Sequence, residues 1–492
     1  MRPHRLAALG SLPVVVLAGI VAYRTASLPD PVAAPAPVRI AVDADALSRG
    51  LAEAVRFRTV SVPVDGRDAE AEWQGFHAWL AGRFPRVHTQ LAREIVGGRS
   101  LLFTWRGADP ALAPVALLAH QDVVPAEEGP SSGWAHPPFA GAIVDGVLWG
   151  RGTIDDKAGV VGILEACEQL LGQGFAPRRT VLRAFGHDEE ASGHAGAGAI
   201  AETLASRGVT LDFVLDEGGY VTEGAVPGVA RPVAVVGMAE KGAAYVELSA
   251  RNPGPAHSSS PARDNPVARL ARALVQIDEH PWPTRLVPAA RGFFDAIATE
   301  TSGLSRVALA NLWLFEPVVR WRLTGTAATN AMIRTTAVGT RLQGGVKDSA
   351  IPDVARAVVS IRILPGESVA AALERLLTVV NDSRIDIKVL RAREPSPTSP
   401  ANSAAFALVR HTIREVFPDA VVAPVLATGG TDARFYTGLT PNVFRFAPVR
   451  GTVEQLGRAH GVDEHIAVTV YADAVRFYLQ LIQNAAAGRA AE

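Results

Sequence analysis

Five short stretches of this chain carry side chains that hold cations and move protons: His120-Gln121-Asp122, Asp155-Asp156-Lys157, Glu189-Glu190, Asp216 and His460. A histidine at a strand end binds a divalent cation through one ring nitrogen, and a neighbouring carboxylate such as Asp122 fixes its tautomer and raises its basicity. Asp155 follows Trp149-Gly150-Arg151-Gly152-Thr153. Those glycines allow tight turns just before a helix, and a carboxylate placed there can bridge two cations with its two oxygens. In Glu189-Glu190, one acid pinned on a cation leaves the other free for proton transfer. Two imidazoles and three metal-facing carboxylates are hard or borderline ligands, a set that suits zinc or a similar divalent ion. Without cations, such a cluster of acids would repel itself and raise its own pKa values. Each residue taken singly reads as a solvated acid or a cap. Taken together they do not, because all five stretches fall in loops and three follow directly on expected strands.

The elements that position them are legible. Apolar runs at 101–105, 115–119, 180–185 and 211–215 read as strands, and 42–57, 69–84 and 157–171 have helical periodicity. His120, His187-Asp188-Glu189-Glu190 and Asp216-Glu217 each come straight after a strand. In open α/β sheets, ligands bind just beyond the carboxyl ends of the strands. Near Gly242 the texture changes to the alternating strands 243–250 and 355–362, a helix at 369–380 and a strand at 385–389. This second, α+β layer is expected over 242–393, inserted into a catalytic α/β domain made of 40–241 and 394–492. Pro395-Ser396-Pro397 marks the return. There are no internal repeats.

The chain has 492 residues, 48% of them hydrophobic, and a formal net charge of -1. Two domains are expected from that length, and the balanced charge offers no basic field for nucleic acid. Cys167 is the single cysteine, which excludes intrachain disulfides and Cys-based zinc clusters. At the start, Arg2 and Arg5 precede an uncharged apolar run over 6–23. Residues 1–26 are therefore expected to form a membrane anchor, with a cleaved signal as the alternative. The Pro/Ala-rich residues 27–39 read as a stalk. The catalytic part is then expected outside the cytoplasm, membrane-anchored or secreted after cleavage.

Several motifs together resemble the dizinc metallopeptidase family of glutamate carboxypeptidase, aminoacylase and carnosinase. They are Leu118-Ala119-His120-Gln121-Asp122-Val123-Val124-Pro125, Trp149-Gly150-Arg151-Gly152-Thr153 with Asp155-Asp156-Lys157, Asp188-Glu189-Glu190 with Gly193, and Leu215-Asp216-Glu217-Gly218. Trp134 with Pro137-Pro138-Phe139, Gly429-Gly430-Thr431-Asp432-Ala433-Arg434-Phe435-Tyr436 and His460-Gly461-Val462-Asp463-Glu464 resemble its carboxypeptidase S-like branch. The resemblance implies a zinc-exopeptidase-type α/β catalytic domain, a mixed sheet flanked by helices, with an inserted α+β lid. It implies two divalent ions, zinc foremost, with Asp155 bridging both. His120 and Asp216 then complete one site, and Glu190 and His460 the other. Asp122 orients His120, Glu189 is the general acid/base, and His257 of the lid polarises the scissile carbonyl. Asn330, Arg362 and Arg434 resemble substrate-binding positions, an Arg fork suiting a free carboxylate. A cis peptide between Asp155 and Asp156 is also implied, as is a homodimer through the lid. One departure stands out: Ser349 precedes Ala350-Ile351-Pro352 where the branch usually has Asn.

The implied activity is hydrolysis of an amide bond next to a free carboxylate, on small peptides or N-acyl amino acids, reversible as a synthase. A biosynthetic deacylase of an N-acyl diamino acid and a non-catalytic binding protein on the same fold are the alternatives.

Overall fold

The computed structural model describes residues 3–29, 35–38, 40–61, 70–252, 254, 257–261 and 264–487, the side chains of 3–12 excepted. Residues 1 and 2 of the expected anchor, and 30–34 and 39 of the expected stalk, lie outside the described residues. Pro3–Ala26 is a helix with Pro13 inside it. Among the described residues, no helix is long and apolar enough to cross a membrane.

A ten-stranded mixed sheet forms the catalytic part. At its centre, Val115–His120 lies parallel to Val181–Gly186 on one side and to Phe213–Asp216 on the other. Val443–Arg445 extends the parallel run beyond Phe213–Asp216. The first three are buried along their whole length. Helices cover both faces of such strands, and their sequences are accordingly near-continuous apolar runs rather than alternating ones. The helix Lys157–Gly172 packs on one face, capped by Asp156, whose side chain accepts from the backbone N–H of Gly159. Val233–Glu240 and Val421–Ala427, which the sequence reading did not single out, pair in parallel. Pro424 sits within the second of these. It is tolerated because Val421–Ala427 pairs on one side only, so the missing N–H breaks no ladder bond that the sheet needs.

The second sheet has four antiparallel strands in the order Thr336–Gly344, Val354–Ile363, Gly242–Arg251, Ile385–Arg393. The helices Pro266–Glu279 and Val369–Val380 cover one face, burying Leu270, Ala273, Leu376 and Val380. The expected strands and helix of the inserted layer all form. The insert is not one layer, however. Within it, the helices Pro288–Ala298 and Leu312–Leu323 turn to the other sheet, where Phe294, Ile297 and Leu312 bury with Val229, Val233 and Ala423.

Candidate active site

The parallel central strands end at the same edge, so their carboxyl ends deliver His120, the loop after Gly186 and the Asp216-Glu217 turn to one place. His120 is the last, fully buried residue of its strand. Its Nδ1 donates to the backbone carbonyl of Asp122 at 2.9 Å. A carbonyl only accepts, so Nδ1 carries a proton and Nε2 is the ring nitrogen turned to the site. Nε2 stands 2.8 Å from Asp155 Oδ1. On the other side, His460 Nε2 is 2.9 Å from Asp155 Oδ2 and 3.2 Å from Glu190 Oε1.

Each oxygen of Asp155 thus faces a different imidazole. Glu190 Oε1 is buried and accepts no hydrogen bond. Ligand atoms of His120, Asp155 and Glu190 all lie within 4.8 Å of one another. Acceptors this close need positive charge between them. Two divalent cations sharing the Asp155 carboxylate fit this donor set, which contains no thiolate.

The framework around these atoms is built from buried ion pairs and backbone donors. Glu464, fully buried, accepts from the N–H groups of Gly152, Ile154 and Asp155 at 2.7–3.2 Å and from Arg151 at 2.7 Å. Arg151 in turn donates to the carbonyls of Ala459, His460 and Gly461. The pair therefore clamps the loop bearing Asp155 to the loop bearing His460. Asp122 does the same for the other pair of loops: its carboxylate accepts from the N–H groups of Glu189 and Glu190 at 3.2 and 3.0 Å. The peptide bond between Asp155 and Asp156 is cis.

Glu189 lies beside the cluster rather than in it. Burial raises its pKa to about 8; His120 opposes this, the charges of Glu190 and Asp155 add to it, and Arg434 opposes it. Such a carboxyl can both hold and release a proton near neutrality. Arg434 Nη1 is 3.8 Å from Glu189 Oε1. Its guanidinium is held by the carbonyls of Thr431 and Ser192 and lies over the Phe435 ring.

Asp216 does not join the cluster. One of its oxygens accepts from the backbone N–H of Ala433 at 2.6 Å, and it ties down the loop that carries Arg434. Glu217 takes the place expected of Asp216, with Oε1 3.9 Å from His120 Nε2. Successive side chains at a strand end point to opposite sides, so only one of the two adjacent acids can face His120. Glu217 stood in the quoted motif, but no signal in the sequence separated it from Asp216. Replacing Glu217 with Ala is expected to lower the bound metal content, and Asp216→Asn to leave it unchanged. Metal analysis after dialysis checks this, and the opposite pattern would restore Asp216 as the ligand.

The lid residues stand apart from the cluster. His257 is exposed, its Nδ1 2.7 Å from Ser259 Oγ, with no contact to the acids above among the described residues. Arg362 donates to the Tyr245 hydroxyl at 3.2 Å. Asn330 lies on the helix Ala327–Ile333 with its side-chain oxygen buried and without a partner. The carbonyl of Ser349 accepts from the Ser258 hydroxyl at 2.5 Å, beside His257.

The profile of peptidase family M20/M25/M40 matches residues 116–484. The chain is similar to probable carboxypeptidase S-like 2 of Dictyostelium discoideum, at 39% identity over 89% of this chain and 85% of that one. It is similar to the human N-fatty-acyl-amino acid synthase/hydrolase PM20D1, at 39% identity over 89% of this chain and 88% of that one. Among solved structures it resembles the M20 family metallo-carboxypeptidase Sso-CP2 from Sulfolobus solfataricus, with a TM-score of 0.64 and 17% identity over 90% of this chain and 99% of that one. At that identity the likeness speaks for the fold, a catalytic sheet with an inserted lid. The chain belongs to peptidase family M20/M25/M40 and is a metal-dependent hydrolase of amide bonds.

Proposed function

We propose that the protein cleaves the amide bond of N-acyl amino acids or small peptides next to a free carboxylate, with two zinc ions as the native metals. The observation that carries this reading is the Asp155 carboxylate, shared between His120 and His460 with Glu189 beside it. The names of the relatives support the substrate class. The full donor set argues against a non-catalytic binding protein.

His120, Asp155 and Glu217 would hold one ion, and Asp155, Glu190 and His460 the other. Bound there, divalent cations supply Lewis acidity, which polarises an amide carbonyl and eases deprotonation of water. Glu189 takes the proton from the attacking water and returns it to the leaving amine. Arg434 lies next to that carboxyl and, with Arg362 and Asn330 of the lid, recognises the substrate's carboxylate. His257 reaches the scissile carbonyl only when the lid closes or when a second subunit presents it. The edge strand Thr336–Gly344, with Val338 and Leu342 exposed, offers a surface for such a dimer. Condensation of an acid with an amino acid uses the same groups in reverse. The N-terminal segment tethers this catalytic part to a membrane, outside the cytoplasm.

The test is turnover of metal-loaded protein on dipeptides and N-acyl amino acids, each with its methyl ester. Hydrogen bonds to a charged group are worth about 1.5–3 kcal/mol, so masking the carboxylate is expected to lower kcat/KM by about 10–100-fold. Equal turnover of acid and ester would reject the carboxylate requirement.

A further inference from the structure

Two helices of the inserted segment leave large apolar side chains facing water. Gly303–Ala310 is eight residues long and buries none of them. Leu312–Leu323 buries only Leu312. Helices this short are marginal in water and draw their stability from an apolar face packed on something. Here Leu309, Leu312, Val319 and Leu323 pack on the core beneath, but a second set of apolar side chains points outward: Leu304 is 87% exposed, Trp321 73%, Val318 58% and Trp313 50%.

The N-terminal helix docks on the same helices. The fully buried Asn311 donates through its side-chain amide to the carbonyl of Val21 at 3.3 Å and to the Thr25 hydroxyl at 3.1 Å, partners 290 and 286 residues away in the chain. These two bonds fix the helix against 303–323. The described half of that helix also turns large apolar residues outward, Val15 at 65% and Tyr23 at 73% exposed. A contiguous apolar patch fed by both segments is the mark of an interaction surface.

We propose that the helices Gly303–Ala310 and Leu312–Leu323, with the N-terminal helix docked on them, form a face that lies against an anionic lipid bilayer. The proposal rests on the reading of the N-terminal segment as a membrane tether. Continuity with that segment names the occupant, because the same face runs into the side chains of residues 13–23, the end of an uncharged stretch. Two exposed tryptophans suit the boundary between headgroups and acyl chains. Arg24, Arg306 and Arg322 flank the patch without an acidic partner among the described residues, unlike Arg320, which Glu316 faces. Unpaired basic groups beside an apolar face favour anionic headgroups. The helix bearing Asn330 begins at Ala327, just past this face. A bilayer held there is also where an amphiphilic acyl amino acid would partition.

The experiment uses the full chain reconstituted with vesicles of phosphatidylcholine and phosphatidylglycerol whose acyl chains are brominated, which quench tryptophan on contact. Flotation reports the tether, and quenching reports the face. The expected result is that wild type floats and is quenched. In a Trp313→Phe/Trp321→Phe double variant the chain still floats, but most of the quenching is lost. Hydrolysis of a soluble dipeptide at the wild-type rate shows that the variant is folded. If both proteins float and are quenched alike, the lid helices do not touch lipid and the proposal fails while the tether stands. A wild-type chain that does not float overturns both. Neither outcome depends on whether acyl amino acids are substrates.

Discussion

Replacing Glu189 with Gln is expected to lower turnover by about 100-fold or more, the scale of general acid–base catalysis, with both metals retained. Gln keeps the shape of the side chain and removes the proton acceptor. Glu189 is adjacent in sequence to Glu190, yet the two carboxylates meet different surroundings. Glu190 Oε1 lies 3.2 Å from His460 Nε2, whereas Glu189 has Arg434 at 3.8 Å and a pKa raised by burial to about 8. Glu190→Gln should therefore weaken metal binding instead, and excess zinc should partly restore its activity. Metal content and kcat for both variants, with and without added zinc, separate the roles. Loss of a metal in Glu189→Gln, with both kept in an inactive Glu190→Gln, would exchange them. Two active variants would reject the mechanism.

Replacing Glu464 with Leu is expected to destabilise the protein by about 3–5 kcal/mol, the usual cost of stripping one partner from a buried ion pair. The side chains of Arg151 and Glu464 are 3% and 0% exposed and meet at 2.7 Å. Without Glu464, the guanidinium stays buried and three backbone N–H groups in the Asp155 loop lose their acceptor. Arg151→Met is expected to cost a similar amount. The Arg151→Met/Glu464→Leu double variant should lose less than the two single losses combined, because no lone buried charge remains. Urea unfolding of the three variants measures this. Strictly additive losses, or single variants as stable as wild type, would show that the pair is not a coupled clamp. Both single variants should also bind metal more weakly, since the clamp holds Asp155 opposite His460.

The local pattern of the chain was enough to locate the chemistry. Buried parallel strands are written as apolar runs, and the residue after each run lies at the edge where ligands bind. His120, Glu189-Glu190 and the Asp216-Glu217 turn were found that way. The alternating strands at 243–250 and 355–362 announced the inserted layer in the same fashion. Val421–Ala427 escaped because Pro424 argues against a strand until its place at an edge is known.

What local pattern could not settle was direction and long-range pairing. Asp216 closes its strand, and the chain then turns through Gly218, whose φ of +114° is open to glycine. Gly219 follows so close to the Val235 carbonyl that a Cβ there would stand 2.1 Å away. That exit path turns Asp216 to the Ala433 N–H and Glu217 towards His120. The type and order of the two acids are the same either way, so sequence alone cannot choose between them. The Arg151–Glu464 clamp joins residues 313 apart. The sequence by itself determined which donors exist and the strand ends on which most of them sit, because both follow from local periodicity. Only the tertiary structure decided which of two neighbouring carboxylates meets His120 and which buried charges brace Asp155, because those choices depend on where distant segments of backbone come to lie.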